Sequence, residues 1–515
     1  MQKRMVGKAM AVVIILFISI AGFNSGETLG QDIPSQKTGS FPFTTINSTA
    51  NITSYCAPDN SYQAFNNLLK SVDDSLYISV YEFQNIHIAR SISNLSENGV
   101  EVQLMIESDP VGGISSQEMY CLDIMKSSGV NIKGTDPGKF NYSYLHSKYI
   151  IADNESVLVS SENFGYTGYP IENSNGNRGW GVIIEDENTA EYYNDIFLYD
   201  WNNSKTINIY SRKSSKTIEK GGYYPEFDPK TIETDITIKP IIGPEYSLLN
   251  DSILKMIKEA EKEIFVQQFY IGDWEENPYV DALIDSAERG IEVKILLDST
   301  WYNIQEEEKD NDDFVEYIDN HSEKKDLNIK CRLINEYHGF SKTHNKGMVV
   351  DGEKVLISSI NWNLHSIKNN REVGVIIENK EVSEYFKNIF LHDWDDDLIK
   401  PIPEAGQDRT VETGQKIIFN GNKSWDDNDI KKYLWDLDGD GDFEREGKMV
   451  NHIFKKEGRY EIRLKVVDQE GHESMDEAEI KVENKNNSSS RLYLILLSIS
   501  LFILISILLG KRFKG

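Results

Sequence analysis

Two stretches of this chain, LHSKYIIADNESVLVSSEN at 145–163 and THNKGMVVDGEKVLISSIN at 343–361, share the pattern H-x-K-x4-D-x6-S-S-x-N. Polar residues held at one spacing through an apolar run require the same backbone path twice, so the fold contains a repeated unit. Histidine is scarce, nine in 515 residues, which makes a chance recurrence untenable. The repeat also extends outward. GVIIEDENTAEYYNDIFLYDW at 181–201 matches GVIIENKEVSEYFKNIFLHDW at 374–394 in twelve of twenty-one positions. Upstream, SLYISVYEF with GVEVQLMIES parallels EIFVQQFYI with GIEVKILLDS.

Each half reads as strand, helix, strand, a longer connection, a hairpin, a further strand, and an amphipathic helix ending in Asp-Trp. The fold class is therefore α/β, a duplicated domain with halves at 51–204 and 236–400. Residues 26–50 and 205–235 are expected to be linkers, the second containing KGGYYPEFDPK.

The repeated motif folds as a hairpin. Four-residue turns at DNES and DGEK would pair Ala152 with Val157 and Val350 with Val355. Lys148 then lies opposite Ser161 and His146 opposite Asn163, with Lys346 opposite Ser359 and His344 opposite Asn361. Side chains two apart share a face, so His, Lys, Ser and Asn gather at the open end of each hairpin. Asp153 and Asp351 fall in the turns and are expected to form turn hydrogen bonds. A lysine with neutral donors suits phosphoryl oxygens, and a histidine can attack or donate a proton. In-line displacement at phosphorus needs one group at each end, which two facing clusters supply. A lone histidine on a strand is an ordinary structural residue, and His87, His321, His338, His365, His392, His452 and His472 are read that way.

Net charge and the two ends bound the setting. Against 54 basic residues stand 83 acidic ones, a net of −29, which repels nucleic-acid backbones at long range. Residues 1–25 carry Lys3, Arg4 and Lys8 before the apolar run 10–23, as a signal peptide or N-terminal anchor does. Residues 492–510 hold no charge and, as a helix, would reach about 28 Å, the thickness of a bilayer core. The following KRFKG, 511–515, is expected in the cytoplasm, which places the folded domains outside it. Sequons from Asn47 to Asn487 agree with export, though such triplets arise easily in Asn-rich sequence. With three cysteines, a Cys56–Cys121 bridge and buried free thiols are both open.

After residue 400 the texture turns to short alternating strands, as in an antiparallel sandwich over 401–483. WDLDGDGDFE, Gly458 with Tyr460, and VVDQEG resemble a PKD domain, an immunoglobulin-like extracellular module. Asp436, Asp438, Asp440 and Asp442 alternate like calcium-loop ligands, but the twelfth position is Gly447 rather than Glu, so a solvated turn is the first reading. Residues 484–491 link this module to the apolar segment.

The doubled H-x-K-x4-D with S-S-x-N resembles the signature of the phospholipase D superfamily, over about residues 51–400. The resemblance implies an α/β/α sandwich with one active site shared by the two halves of one chain. It further implies a phosphohistidine intermediate resolved by water or an alcohol, with no cofactor and no metal. Carried over by position, His146 is the nucleophile and His344 the general acid. Lys148, Lys346, Asn163 and Asn361 bind phosphoryl oxygens, assisted by Ser161 and Ser359. Ser160 and Ser358 replace the family's usual glycine. The family also places an acid after the hairpin to orient a histidine, often that of the other half. N-R-E supplies Glu372 toward His146, while the aligned N-R-G offers only Gly179. A loop five residues longer between Asn163 and Asn177, including GYTGYPIENSNG, is expected to rim the pocket.

The leading expectation is a membrane-anchored phosphodiesterase acting on a phospholipid headgroup or small phosphodiester, by hydrolysis or transfer. An exported nuclease of the same superfamily is the alternative, opposed by the charge. A non-catalytic surface adhesion protein is another, opposed by two intact quartets.

Overall fold

The computed structural model describes residues 41–484 except 172–173, 211–222, 224, 301–302, 305–308, 335–338, 396–400, 427–428 and 470. Both terminal apolar segments, 10–23 and 492–510, lie outside these residues. Among the described residues no helix is long and apolar enough to cross a membrane.

The first half comprises β1 (Ile46–Ala57), α1 (Ser61–Lys70), β2 (Ser75–Val80), α2 (Ile86–Glu97), β3 (Glu101–Ile106), α3 (Ser116–Ser127), β4 (Asn131–Thr135), β5 (Lys148–Ala152), β6 (Ser156–Ser160), β7 (Asn177–Glu185), α4 (Glu187–Asn202) and β8 (Ser204–Thr206). The second comprises β9 (Lys230–Gly243), α5 (Ile253–Lys258), β10 (Glu263–Gln268), α6 (Pro278–Glu288), β11 (Glu292–Leu297), α7 (Asn311–Lys325), β12 (Ile329–Leu333), β13 (Lys342–Thr343), β14 (Lys346–Val350), β15 (Lys354–Ser358), α8 (Leu364–Asn369), β16 (Glu372–Glu378) and α9 (Lys380–Trp394).

These strands form one mixed sheet in the order β12-β11-β10-β14-β15-β16-β9-β1-β7-β6-β5-β2-β3-β4-β8, with β13 paired to β7. The halves are fused at its centre, where β1 and β9 run antiparallel from Ile46↔Ile238 to Ser54↔Lys230. Both strands begin inside segments expected to be linkers, at Ile46 rather than 51 and at Lys230 rather than 236. Their outer portions alternate exposed and partly buried residues, so their sequence is polar and reads as connection.

Successive strand residues serve different cores, as the period of two requires. Ile150, Leu158 and Ile183 pack with Phe65, Ile88 and Leu122 of α1, α2 and α3. Met348, Leu356 and Ile376 pack with Ile257, Leu283 and Phe314 of α5, α6 and α7. The alternate residues, Ile151, Val157 and Val182 with Val349, Val355 and Ile377, join α4 and α9 in a central core common to both halves. Each such side chain contributes about 1.5–3 kcal/mol on burial, so the central core holds the halves as one body. Trp180 lies over the backbone of Gly347 in the opposite half, where a β-carbon would come within 2.3 Å of its ring.

The C-terminal strands are β17 (Arg409–Glu412), β18 (Lys416–Asn420), β19 (Ile430–Asp436), β20 (Arg445–Glu446), β21 (Met449–Ile453), β22 (Gly458–Asp468) and β23 (Glu473–Glu483). They form a five-stranded sheet, β17-β23-β22-β19-β20, and a β18-β21 pair around Phe419, Trp435, Ile462 and Leu464. The buried Asp436 carboxylate accepts the N–H groups of Gly439 at 2.7 Å and Gly441 at 3.0 Å, both glycines at positive φ. Asp436 thus forms the turn. Asp436, Asp438 and Glu444 come together, but Asp440 and Asp442 are not part of that group. Cys56, Cys121 and Cys331 are all buried free thiols, so the Cys56–Cys121 bridge does not form.

Candidate active site

The two motif hairpins are set by their turns. β5 and β6 pair Ala152 with Ser156 across Asp153, Asn154 and Glu155, and β14 and β15 pair Val350 with Lys354. Asp153 and Asn154 sit at φ +53° and +54°, and Asp351 at +57°, a region Asp and Asn tolerate best after glycine. These three-residue turns replace the four-residue turns expected, and the register moves by one. The pairings Ala152–Val157 and Val350–Val355 are therefore absent. The Asp153 carboxylate accepts the N–H groups of Asp73 (2.9 Å), Asp74 (2.8 Å) and Ser75 (2.7 Å). Asp351 likewise accepts those of Glu261 (3.0 Å), Lys262 (2.8 Å) and Glu263 (3.1 Å). Each aspartate fastens a hairpin tip to the start of the neighbouring strand, as its turn position suggests.

At the open ends, each histidine segment is held partly by its own half and partly by the other. Leu145 N donates to Glu107 Oε2 (2.7 Å), and His146 N to the carbonyl of Arg371 (2.9 Å). In the second half Thr343 N donates to Asp298 Oδ1 (2.8 Å), and His344 N to the carbonyl of Arg178 (2.8 Å). Glu107 and Asp298 stand third in the equivalent runs MIES and LLDS, a repeat signal present in the sequence.

The arginines brace the same crossing with their side chains. Arg371 Nε lies 2.9 Å from Asp200 and its Nη1 3.0 Å from Glu245, while Arg178 Nε lies 2.8 Å from Asp393 and its Nη1 2.5 Å from Asp59. Asp200 and Asp393 are the aspartates of the repeated Asp-Trp pair. Each brace therefore runs from one half's N-R dipeptide to the other half's last helix.

The two His–Lys pairs come together at this junction. Lys148 Nζ donates to the His146 carbonyl (2.5 Å) and Lys346 Nζ to the His344 carbonyl (2.6 Å); both lysines are fully buried. Burial pushes Lys148 down to about 8, and burial with Lys148 nearby holds Lys346 well below the usual lysine range. Tyr81 stands edge-on to His146 and Phe269 edge-on to His344, each with ring centroids 5.0 Å apart. Asn163 donates through Nδ2 to Glu82 Oε2 (3.3 Å), and the Oδ1 atoms of Asn163 and Asn361 have no protein partner among the described residues.

Ser161 and Ser359 are both engaged by neighbouring protein groups. Ser161 Oγ accepts Trp180 N (3.0 Å), and the fully buried Ser359 Oγ accepts Val373 N (3.0 Å) while donating to Glu372 Oε2 (2.5 Å). Ser160 and Ser358 are also turned to backbone, toward Glu162 N and the Lys346 carbonyl. The described part of the long loop after Asn163 packs inward. Tyr169 is fully buried against Phe65 and Phe164, and the hydroxyl of Tyr166 accepts Ile86 N.

Each histidine meets a carboxylate from the opposite half. His146 Nδ1 lies 2.9 Å from both oxygens of Glu372, which is fully buried and also receives Asn370 Nδ2 (3.2 Å). Burial is the largest influence on His146 and pushes it down to about 4, against the opposing pull of Glu372. His344 Nδ1 lies 3.3 Å from Glu162 Oε2. Burial and the nearby Lys346, Lys342 and Lys148 hold His344 well below its ordinary value. Glu162 was not singled out by sequence, because it fills the variable position of S-S-x-N. A signal was nevertheless present: Glu162 with Gly179 in one half answers Ile360 with Glu372 in the other.

Two neutral imidazoles, each backed by an acid and flanked by a lysine and an asparagine, can supply a nucleophile and a proton carrier to one phosphoryl group.

A family model described as cardiolipin synthase, PLD-like domain, matches residues 65–201 and 253–394, and a PKD domain model matches 399–482. A cardiolipin synthase of Clostridium perfringens (strain SM101 / Type A) is 23% identical over 348 residues, covering 63% of this chain and 66% of that protein. One from Staphylococcus aureus (strain Mu50) is 23% identical over 342 residues, covering 63% of each. The chain thus spans just under two thirds of the length of these curated relatives. Among solved structures, a phosphatidylserine synthase of Haemophilus influenzae Rd KW20 superposes with a TM-score of 0.52 at 13% identity, over 67% of this chain and 88% of that one. That likeness is one of fold.

Proposed function

The chain belongs to the cardiolipin synthase, PLD-like domain family, with a PKD domain following, and from this we propose that it is a phosphodiesterase transferring or hydrolysing phospholipid headgroups. The observation that carries the reading is the pair of histidines, each facing a carboxylate of the other half.

His146 Nε2 attacks the phosphorus, with Nδ1–H directed at Glu372. The bond to the headgroup oxygen breaks, and that oxygen takes a proton from His344. Lys148, Lys346, Asn163 and Asn361 hold the remaining phosphoryl oxygens. Water or an alcohol, deprotonated by His344, then displaces the phosphoryl group from His146. With burial holding His146 down to about 4, its ring is neutral and nucleophilic at neutral pH. The charge of an arriving phosphodiester favours the protonated form of His344 that the first step requires. Anchoring through 492–510, with the folded domains outside the cytoplasm, belongs to the same proposal and rests on the apolar run and the KRFKG tail.

The test is the full-length protein in mixed phospholipid vesicles with EDTA, beside His146→Ala. Headgroup release or exchange should fall at least about 1,000-fold in the variant. Single- and double-stranded DNA run in parallel: cutting of DNA with no lipid turnover would replace this reading by a nuclease.

A further inference from the structure

The two halves place a carboxylate at corresponding points from different Cα atoms. In the second half the acid is Glu372 on β16, and the residue between Ser359 and Asn361 is the apolar Ile360. In the first half the repeat position of Glu372 is Gly179, and the acid is Glu162, between Ser161 and Asn163. A β-carbon at Gly179 would stand 2.5 Å from both Cγ and Oε1 of Glu162, so glycine there leaves the room that the Glu162 side chain occupies. Asn177 and Asn370, themselves repeat equivalents, mark the common destination. Asn177 donates to Glu162 Oε2 (3.0 Å) and Asn370 to Glu372 Oε1 (3.2 Å). Both acids then reach Nδ1 of the opposite half's histidine.

We infer that Glu162 is the positioning residue for His344, doing from the S-S-x-N segment what Glu372 does from a strand. The inference rests on the reading of His344 as the proton carrier. The two pairs differ in a way that suits different tasks. Glu372 grips His146 with both oxygens at 2.9 Å, whereas Glu162 approaches His344 at 3.3 Å without an aligned hydrogen bond. Lys148, Lys342, Lys346 and His146 all bear on the His344 ring and oppose its protonation. A buried carboxylate beside Nδ1 is the counterweight that lets the ring take up a proton and hold Nε2 toward the departing oxygen.

The experiment uses the full chain as wild type, Glu162→Gln, and the double variant Glu162→Ile with Gly179→Glu, which transplants the second half's arrangement. Two phosphodiesters are compared, one with an alkyl leaving group that must be protonated and bis(4-nitrophenyl) phosphate, whose leaving group needs no proton. Glu162→Gln should lose about 100-fold in kcat/KM, which reports the first displacement, on the alkyl diester, and at most about tenfold on the aryl one. The double variant should recover most of that loss. Equal losses on both substrates, or no recovery, would reduce Glu162 to a structural group and overturn the inference. Histidine NMR reads the contact without turnover: His344 should titrate at lower pH in Glu162→Gln than in wild type, and an unchanged titration overturns the inference even if lipid is cleaved. Should wild type turn over neither diester while the NMR shift stands, the functional reading falls and the coupling of Glu162 to His344 remains.

Discussion

Glu372 is fully buried, receives Ser359 and Asn370, and offers both oxygens to one ring nitrogen. A carboxylate so held fixes the tautomer of His146 and, in the proposed reaction, would stabilise the cationic ring formed on phosphorylation. Glu372→Gln should slow phosphoenzyme formation by about 100- to 10,000-fold. The pH profile separates this from misfolding. Because Glu372 pulls the His146 pKa upward against burial, wild type should show its acid limb near pH 4, and the variant's limb should move lower as its rate falls. Rapid-quench measurement of phosphoenzyme across pH 3.5–7 checks both. Sequence spacing singled out His146, Lys148, Asn163 and their counterparts, which the fold brings together, because they recur in a fixed pattern. It left Glu162 hidden, since an acid moved to a neighbouring Cα leaves the motif columns although its carboxylate serves the same site. The contacts of the serines were not legible for a related reason: with the register displaced by one residue, their hydroxyls face backbone amides and, for Ser359, the Glu372 carboxylate.

Among the elements, the strands carrying N-R-G and N-R-E do the joining. Each sends an arginine into the other half's last helix and a carbonyl to the other half's histidine. Removing one cation leaves buried carboxylates without a counter-charge, which costs about 3–5 kcal/mol. Arg371→Met should therefore lower unfolding stability by roughly that amount, measured by urea titration, and should also lower activity by loosening the segment bearing His146. The duplication made the inner strands and the Asp-Trp helices legible, because both halves repeat them nearly residue for residue. β1 and β9 were not legible as strands over their full length, since each lies beside the other and leaves one face to water, and the solvated stretch looks like linker.

For the whole molecule, the duplication yields one candidate site from two incomplete ones. Neither half contains a complete histidine–acid pair: His146 depends on Glu372, and the acid nearest His344 is Glu162. The C-terminal sandwich keeps its own core and its own pair of sheets, and the turn aspartate there is occupied by backbone. Its separate core was foreseeable from alternating strands, whereas the ownership of the two acids depends on tertiary crossing that no local pattern encodes.

The central β1–β9 ladder has one more consequence. It ties the halves by nine paired residues on each strand, and the arginine braces and shared core add to that hold, without relying on the covalent connection between β8 and β9. The PLD-like part is in effect two chains that happen to be spliced. A single protease site inserted within residues 211–222 and cleaved after folding should leave two fragments that co-elute and retain activity. Separation of the fragments, or loss of turnover on cutting, would show that the splice itself is needed. A protein built this way tolerates nicking between its halves, because its integrity resides in the seam rather than in the thread.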